Sequence, residues 1–131
     1  MANAYEKLDT VQFDNLVNEV GTAPVINGLR TIRKGQGVLK RGSVLALSAG
    51  TGGDGVLVLL GTNATSNETL TANCILAEDV DTGSGSNVNA LVYLSGHFNK
   101  NNLILGNSKT ITAADIEALR AAGIFLAASM E

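Results

Sequence analysis

The sequence has very few of the residues that cross-link a small domain or stiffen its chain. Its 131 residues include one cysteine, one proline, no tryptophan and only five other aromatic residues. The single cysteine, Cys74, excludes an intramolecular disulfide. Together with the only histidine, His97, it supplies too few ligands for a cysteine/histidine zinc site. The fold must therefore be held by its hydrophobic core, to which 45% hydrophobic residues contribute.

Long hydrophobic segments are missing as well. The longest aliphatic run, Val56–Leu60, is far shorter than the roughly 20 residues that a membrane-spanning helix needs. The first ten residues include the charged residues Glu6, Lys7 and Asp9, where a signal peptide has an apolar run. We therefore expect neither secretion by that route nor contact with a membrane.

Acidic and basic residues are unevenly distributed along the chain. The net charge of -3 argues against nucleic-acid binding, which depends on many lysine and arginine contacts to phosphate. Residues 20–53, however, contain no acidic residue and carry a charge of +5, while the remainder carries -8. This cluster is either a solvated basic face or an electrostatic docking surface. Its members are Arg30, Arg33, Lys34, Lys40 and Arg41.

Fifteen glycines accompany a pattern of short apolar runs from residue 24 onward, which is typical of strands joined by tight turns. Asn27-Gly28 lies between apolar residues and predicts a hairpin turn. Arg41-Gly42 predicts a second turn, and Gly50–Gly55 a glycine-rich hairpin. Polar residues 63–73 and 81–89 are predicted as long loops.

One helix is predicted near the C-terminus. Thr112 can cap it, Asp115 is the third helical residue, and Gly123 can end it in the left-handed conformation. Ile124–Ala127 follows as a last strand. The predicted fold is mainly β: a small, compact, sandwich or barrel-like domain of residues 24–131 with one short helix. An extended N-terminal arm, residues 1–23, precedes it.

No pattern in the sequence specifies a catalytic or ligand site. Gly50–Gly55 matches G-x-G-x-x-G, but a strand follows it instead of the helix that dinucleotide binding requires. Residues 79–83 begin like a calcium loop and lack the acidic residue that would close it. Ser95 and Cys74 are candidate nucleophiles without a local triad pattern around His97. We predict that the protein is not an enzyme and has no cofactor or metal site.

Several blocks, in order along residues 13–126, resemble the head decoration proteins of tailed bacteriophages of the phage lambda type. The blocks are Phe13–Leu16, Gly35–Leu45, Ile75–Val80, Gly96–Asn99 and Leu119–Ile124. The resemblance implies a non-catalytic homotrimer on the outer surface of the virion's expanded head, bound to the major capsid protein and made in the host cytoplasm. It also implies an N-terminal arm that becomes ordered on the shell and adds hydrogen bonds to a strand edge there.

We expect the apolar arm residues to bind the capsid and the basic cluster to provide electrostatic docking. The arm residues are Phe13, Leu16, Val17 and Val20. Exposed alanine and leucine positions in Leu119–Ala128 are expected to contribute to the trimer.

Two other functions fit the composition. A virion fibre or adhesion-type β-module would bind carbohydrate or protein through exposed loops, although such modules usually present aromatic platforms and the five aromatic residues here are scattered. A small hydrolase would depend on the single histidine.

Overall fold

The structure, a computed structural model, describes residues 25–83 and 85–127. It confirms a mainly β domain with one C-terminal helix, and the domain is a barrel. The helix, α1, spans Ala113–Ala122, and a single 3₁₀ turn spans Lys100–Asn102. The strands are β1 (Ile26–Ile32), β2 (Val38–Leu39), β3 (Val44–Ala49), β4 (Leu57–Leu59), β5 (Thr69–Leu76), β6 (Val80–Asp81), β7 (Val88–Asn99) and β8 (Ile124–Ala127).

Five strands close into the barrel in the order β1-β4-β3-β5-β7, because β1 also pairs with β7. The β1–β7 ladder is antiparallel and extends over the whole of β1. The junction between β1 and β4 is much shorter, a single parallel pair between Ile32 and Leu57. β7 continues past the barrel and pairs in parallel with β8, while β2 and β6 form a separate two-stranded sheet. The barrel is therefore fully paired on one side of β1 and weakly paired on the other.

The predicted hairpin turn at Asn27-Gly28 is wrong. Both residues lie inside β1 and pair with β7. A Cβ atom at Gly28 would lie 2.8 Å from Cδ1 of Leu94, so the Leu94 side chain packs over this glycine and would have to move to admit a larger residue. The Asn-Gly pattern thus marks tight packing in a strand, and a local turn signal cannot distinguish the two.

Two other predicted turns are confirmed, and one predicted loop is shorter than expected. Gly50–Gly55 joins β3 to β4, which pair as an antiparallel hairpin. Arg41-Gly42 forms a turn between β2 and β3, with a positive φ of 98° at Gly42. The predicted loop at 63–73 is too long, because β5 already begins at Thr69. Thr69–Ala72 of this predicted loop pair with β3, so they form part of a strand that the local pattern did not predict.

Two hydrophobic clusters form the core, one inside the barrel and one outside it. The inner cluster takes residues from all five barrel strands: Ile32, Leu39, Leu45, Leu57, Cys74, Leu76, Ala90 and Val92. The outer cluster lies between the sheet, α1 and β8: Val44, Ala46, Val58, Leu60, Ala72, Ile75, Tyr93, Phe98, Leu119 and Ile124. Both faces of the central strands are therefore buried.

Helix α1 has the predicted ends. The Thr112 hydroxyl accepts a hydrogen bond from the Asp115 backbone N–H at 3.1 Å, and the Asp115 carboxylate accepts one from the Thr112 N–H at 3.0 Å. Gly123 ends the helix with a φ of 110°. The predicted exposure of Leu119 is wrong, because its side chain and that of Ile124 are fully buried in the outer cluster. These two residues hold the helix and β8 to the sheet and are not available to a partner.

Candidate docking surface

The structure does not gather the five basic residues into one patch. Arg30 pairs with Ala90 on the edge of β7 that faces β1, and the Lys34 backbone N–H donates to the side chain of Asn87, just before β7. Lys40 and Arg41 lie on the other side of β7, next to residues 77–79 that follow β5. The run of positive charge in the sequence is therefore divided by the sheet.

Arg33 is the centre of a partly buried ion network. Its guanidinium donates to both carboxylate oxygens of Asp54, at 3.1 and 2.9 Å, and to Oε2 of Glu68 at 2.6 Å. The Ser48 hydroxyl accepts from the same guanidinium and donates to Glu68. The side chain of Glu68 is 0% exposed, that of Arg33 24% and that of Asp54 49%. Arg33 is therefore engaged within the protein.

The network shifts the ionisation of its members in a consistent direction. The Arg33 guanidinium, then the Ser48 hydroxyl and the Thr65 backbone N–H, lower the pKa of Glu68 from 4.5 to about 2. Hydrogen bonding from Arg33 likewise lowers the pKa of Asp54, and the two carboxylates raise that of Arg33. All three groups are therefore charged at neutral pH.

This network also joins two loops that are distant in sequence. Asp54 belongs to the β3–β4 loop, and Glu68 to the β4–β5 loop. The Gly52 N–H donates to the Asn67 carbonyl at 2.8 Å, and a Cβ at Gly52 would lie 2.3 Å from the Ser66 carbonyl oxygen. The loops pack directly against each other at the end of β1, where they support the short β1–β4 junction.

Arg41 also makes internal contacts. Its guanidinium donates to the Tyr93 hydroxyl, lies 5.4 Å from the centre of the same ring, and is 3.5 Å from the Ala77 carbonyl oxygen. Lys40 is exposed and lies 3.7 Å from Asp79, a surface pair of little energetic consequence. Arg30, Lys34 and Lys40 thus remain as the exposed members of the cluster.

Strand β1 combines exposed positive charge with exposed aliphatic side chains. Val25, Ile26 and Leu29 are 42%, 50% and 64% exposed, next to the exposed Arg30. A groove of about 390 Å³ lies between β1 and the β3–β4 hairpin. Its lining residues are Leu29, Arg30, Thr31, Leu47, Gly55, Leu57 and Asn73. We call Val25–Arg30 with this groove the β1 surface.

Cys74 and His97, the candidate catalytic residues, are both packed against other parts of the fold. Burial raises the pKa of the Cys74 thiol to about 12, with the charge of Arg30 acting in the opposite direction. His97 lies near the end of β7 and packs edge-on against Phe125, with ring centres 5.3 Å apart. Within residues 25–83 and 85–127, no three His, Cys, Asp or Glu side chains are grouped to hold a metal ion. No helix in this part of the chain is long and apolar enough to cross a membrane.

Sequence reasoning missed Asp54 and Glu68 and could not place the arm. Asp54 was one residue of a glycine-rich turn, and Glu68 lay in a predicted polar loop. They are 21 and 35 residues from Arg33, so no local spacing connects them. Phe13, Leu16, Val17 and Val20 lie outside the described residues.

Comparison with known proteins identifies the family. The family model for bacteriophage lambda head decoration protein D matches residues 13–124. No curated protein sequence matches the chain. The family match covers the whole barrel, helix α1 and the residue that begins β8. The chain therefore belongs to the bacteriophage lambda head decoration protein D family, whose members are structural proteins of the virion capsid and not enzymes.

Proposed function

We propose that the protein binds the outer surface of the expanded phage head as a homotrimer and stabilises the shell against the pressure of the packaged DNA. The observation that carries this proposal is the family match over residues 13–124. Its partner is the major capsid protein, and it does not bind nucleic acid. A trimer that touches several shell subunits adds contacts that must break together before the shell can open.

Two parts of the chain make the contact in this proposal. The arm residues Phe13, Leu16, Val17 and Val20 provide apolar contacts to the shell, and the exposed charges of Arg30, Lys34 and Lys40 guide docking. Arg33 and Arg41 contribute indirectly, since their guanidinium groups are engaged within the barrel. Electrostatic guidance of this kind raises the association rate and weakens as salt screens the charges.

The test is saturable binding of purified protein to undecorated expanded heads. We expect saturation at a fixed number of copies per head and heads that resist disruption better after decoration. Deletion of residues 2–20 is expected to remove most of the affinity. Failure of the intact protein to saturate the heads would contradict the proposal.

A charge reversal tests the electrostatic part separately. Lys34→Glu is expected to slow association with heads several-fold at low salt and to have less effect at high salt. Lys100→Glu is the matched control, because Lys100 is also exposed but follows the opposite end of the 12-residue strand β7. Equal effects of the two variants would show that net charge matters and the position of Lys34 does not. A gel shift with DNA at physiological salt should show no binding.

A further inference from the structure

Strand β1 contains the only Asn-Gly sequence of the chain, Asn27-Gly28, and the Asn27 side chain is exposed. Asparagine is one of the chemically labile residues. Its side-chain amide is lost when the backbone nitrogen of the next residue attacks the side-chain carbonyl carbon. Glycine is the least hindered residue in that next position, since it has no side chain and its backbone turns freely. The sequence pattern that forms no turn here is therefore a reactive asparagine.

The strand conformation protects Asn27 from this reaction. The Arg33 N–H points to β4, where it donates to the Leu57 carbonyl, and successive backbone groups of a strand alternate between its two edges. The Gly28 N–H therefore points to β7, opposite Val92. A nitrogen held in this ladder cannot attack, because the extended backbone directs it away from the Asn27 side chain. The reaction thus requires the start of β1 to leave β7.

The start of β1 is weakly held. Ile32, at the end of the strand, is its only buried residue, while Ile26 and Leu29 are 50% and 64% exposed. Among the described residues, Ile32 is also the only one with a strand partner on the β4 side. The β1–β7 register shifts between Ile26 and Asn27. A segment with so little burial opens locally at a lower free energy than global unfolding requires.

We propose that Asn27 is a modification site, at which local opening of β1 leads to spontaneous deamidation. In the open strand, the Gly28 nitrogen bonds to the Asn27 side-chain carbonyl carbon. The bond from that carbon to the side-chain nitrogen breaks, and the Gly28 proton leaves with this nitrogen as ammonia. Water then breaks one of the two bonds between the Gly28 nitrogen and the carbonyl carbons of the cyclic imide. The products are aspartate and isoaspartate, formed with no oxidation or reduction.

The two products change β1 differently. Aspartate keeps the backbone intact and adds a negative charge to the strand that carries Arg30. Isoaspartate routes the backbone through the side-chain carbonyl, which adds a methylene group to the main chain. Ile26 then loses the alternation on which its pairing with Ser95 depends, so the strand end stays open. The inference concerns the free protein and does not rest on head binding.

Asp54-Gly55 offers an internal comparison, because an aspartate followed by glycine forms the same cyclic imide. Both carboxylate oxygens of Asp54 accept hydrogen bonds from Arg33, and the Gly55 N–H donates to the Ser48 carbonyl at 2.9 Å. Hydrogen bonding from Arg33 lowers the pKa of Asp54, which keeps the carboxylate in its ionised, unreactive form. We expect no isomerisation at Asp54 while the protein is folded.

Peptide mapping of aged protein tests the site. Purified free protein is kept at mildly alkaline pH and body temperature, and samples taken over weeks are digested and analysed by mass spectrometry, with each asparagine resolved by fragmentation. We expect Asn27 to deamidate faster than every other asparagine, with isoaspartate as the main product. Asn27→Gln is the matched control, since its longer side chain forms an imide far more slowly, and it should stay unmodified. Deamidation at Asn27 no faster than elsewhere would overturn the proposal.

Destabilised variants test the route. Leu119 lies in the outer cluster, which contains no residue of β1, so Leu119→Ala is expected to leave the deamidation rate of Asn27 unchanged. A reaction through global unfolding would instead accelerate by about a hundredfold, because the unfolded population rises as stability is lost. Thr112→Ala, a milder change at the helix cap, should also leave the rate unchanged, whereas global unfolding would accelerate it about fivefold. Acceleration of this kind in either variant would overturn the local route.

Amide hydrogen exchange tests the lasting change in β1. Aged protein that contains isoaspartate is expected to exchange amide hydrogens at the start of β1 at least about tenfold faster than the Asn27→Asp variant, which carries the same charge on an unmodified backbone. Equal exchange in the two proteins would overturn the inference that the strand end stays open. All three measurements use free protein, so their outcome is distinguishable from a failure of head binding.

Discussion

Replacement of Leu119 tests how the helix is attached to the barrel. Leu119 is the one fully buried residue of α1, and it packs in the outer cluster with Phe98, Tyr93 and Ile124. Leu119→Ala removes most of a side chain that has no exposure, so the transfer free energy of the lost atoms and the cavity both destabilise the fold.

The expected loss is about 3 kcal/mol, within the range of roughly 2 to 5 kcal/mol for such truncations. For a chain of this length, that corresponds to a fall in melting temperature of about 10 °C. This is a large share of the total stability of a small domain, which is typically about 5 to 15 kcal/mol. The folded barrel should remain detectable at room temperature.

Urea unfolding followed by circular dichroism measures the effect. Ile116→Ala on the same helix is the control: Ile116 is half-buried, so its replacement should cost less than that of Leu119. An unchanged urea midpoint for Leu119→Ala, together with a weaker self-association measured by light scattering, would refute the reasoning. That result would show that Leu119 faces another subunit.

Three further predictions concern the loops and the helix. Lowering the pH from about 4.5 to about 2 should reduce the free energy of unfolding, because the folded state keeps Glu68 ionised after the unfolded chain has bound a proton; Glu68→Gln should flatten this dependence in urea titrations across pH. Gly52→Ala should destabilise by about 1 to 3 kcal/mol because its Cβ would meet the Ser66 carbonyl, whereas Gly85→Ala, with open space around it, should be nearly neutral in the same thermal assay. Thr112→Ala should cost about 1 kcal/mol through loss of the helix cap, measured by urea unfolding.

The outcomes that contradict these predictions are equally specific. An unfolding free energy of the Glu68→Gln variant with the same pH dependence as the unmodified protein would mean that Glu68 is solvated. Equal effects at Gly52 and Gly85 would mean that the two loops do not touch. A neutral Thr112→Ala would mean that the cap is replaced by water.

Local sequence signals predicted helix α1 and the β3–β4 hairpin correctly, because the interactions that form them join residues close in sequence. Thr112, Asp115 and Gly123 lie within one helix, so their sequence spacing is also their spatial arrangement. The same reasoning failed at Asn27-Gly28, because both residues pair with β7, which is distant in sequence. The exposure expected of Leu119 was wrong, whereas the helical spacing of Ile116 and Leu119, which predicts a face that can pack on the sheet, agrees with the burial of Leu119.

The sequence by itself determined the class of fold, the single capped helix and the family, because these depend on composition, on residues close in sequence and on the order of short blocks along the chain. The tertiary structure alone decided that the strands close into a barrel, that Arg33 is paired with Asp54 and Glu68, and that the basic cluster divides across β7. It also decided that β1 keeps one open edge. The physical reason is that strand pairing and buried ion pairs join residues tens of positions apart, and the hydrogen bonds and burial that select those partners exist only once the sheet has formed.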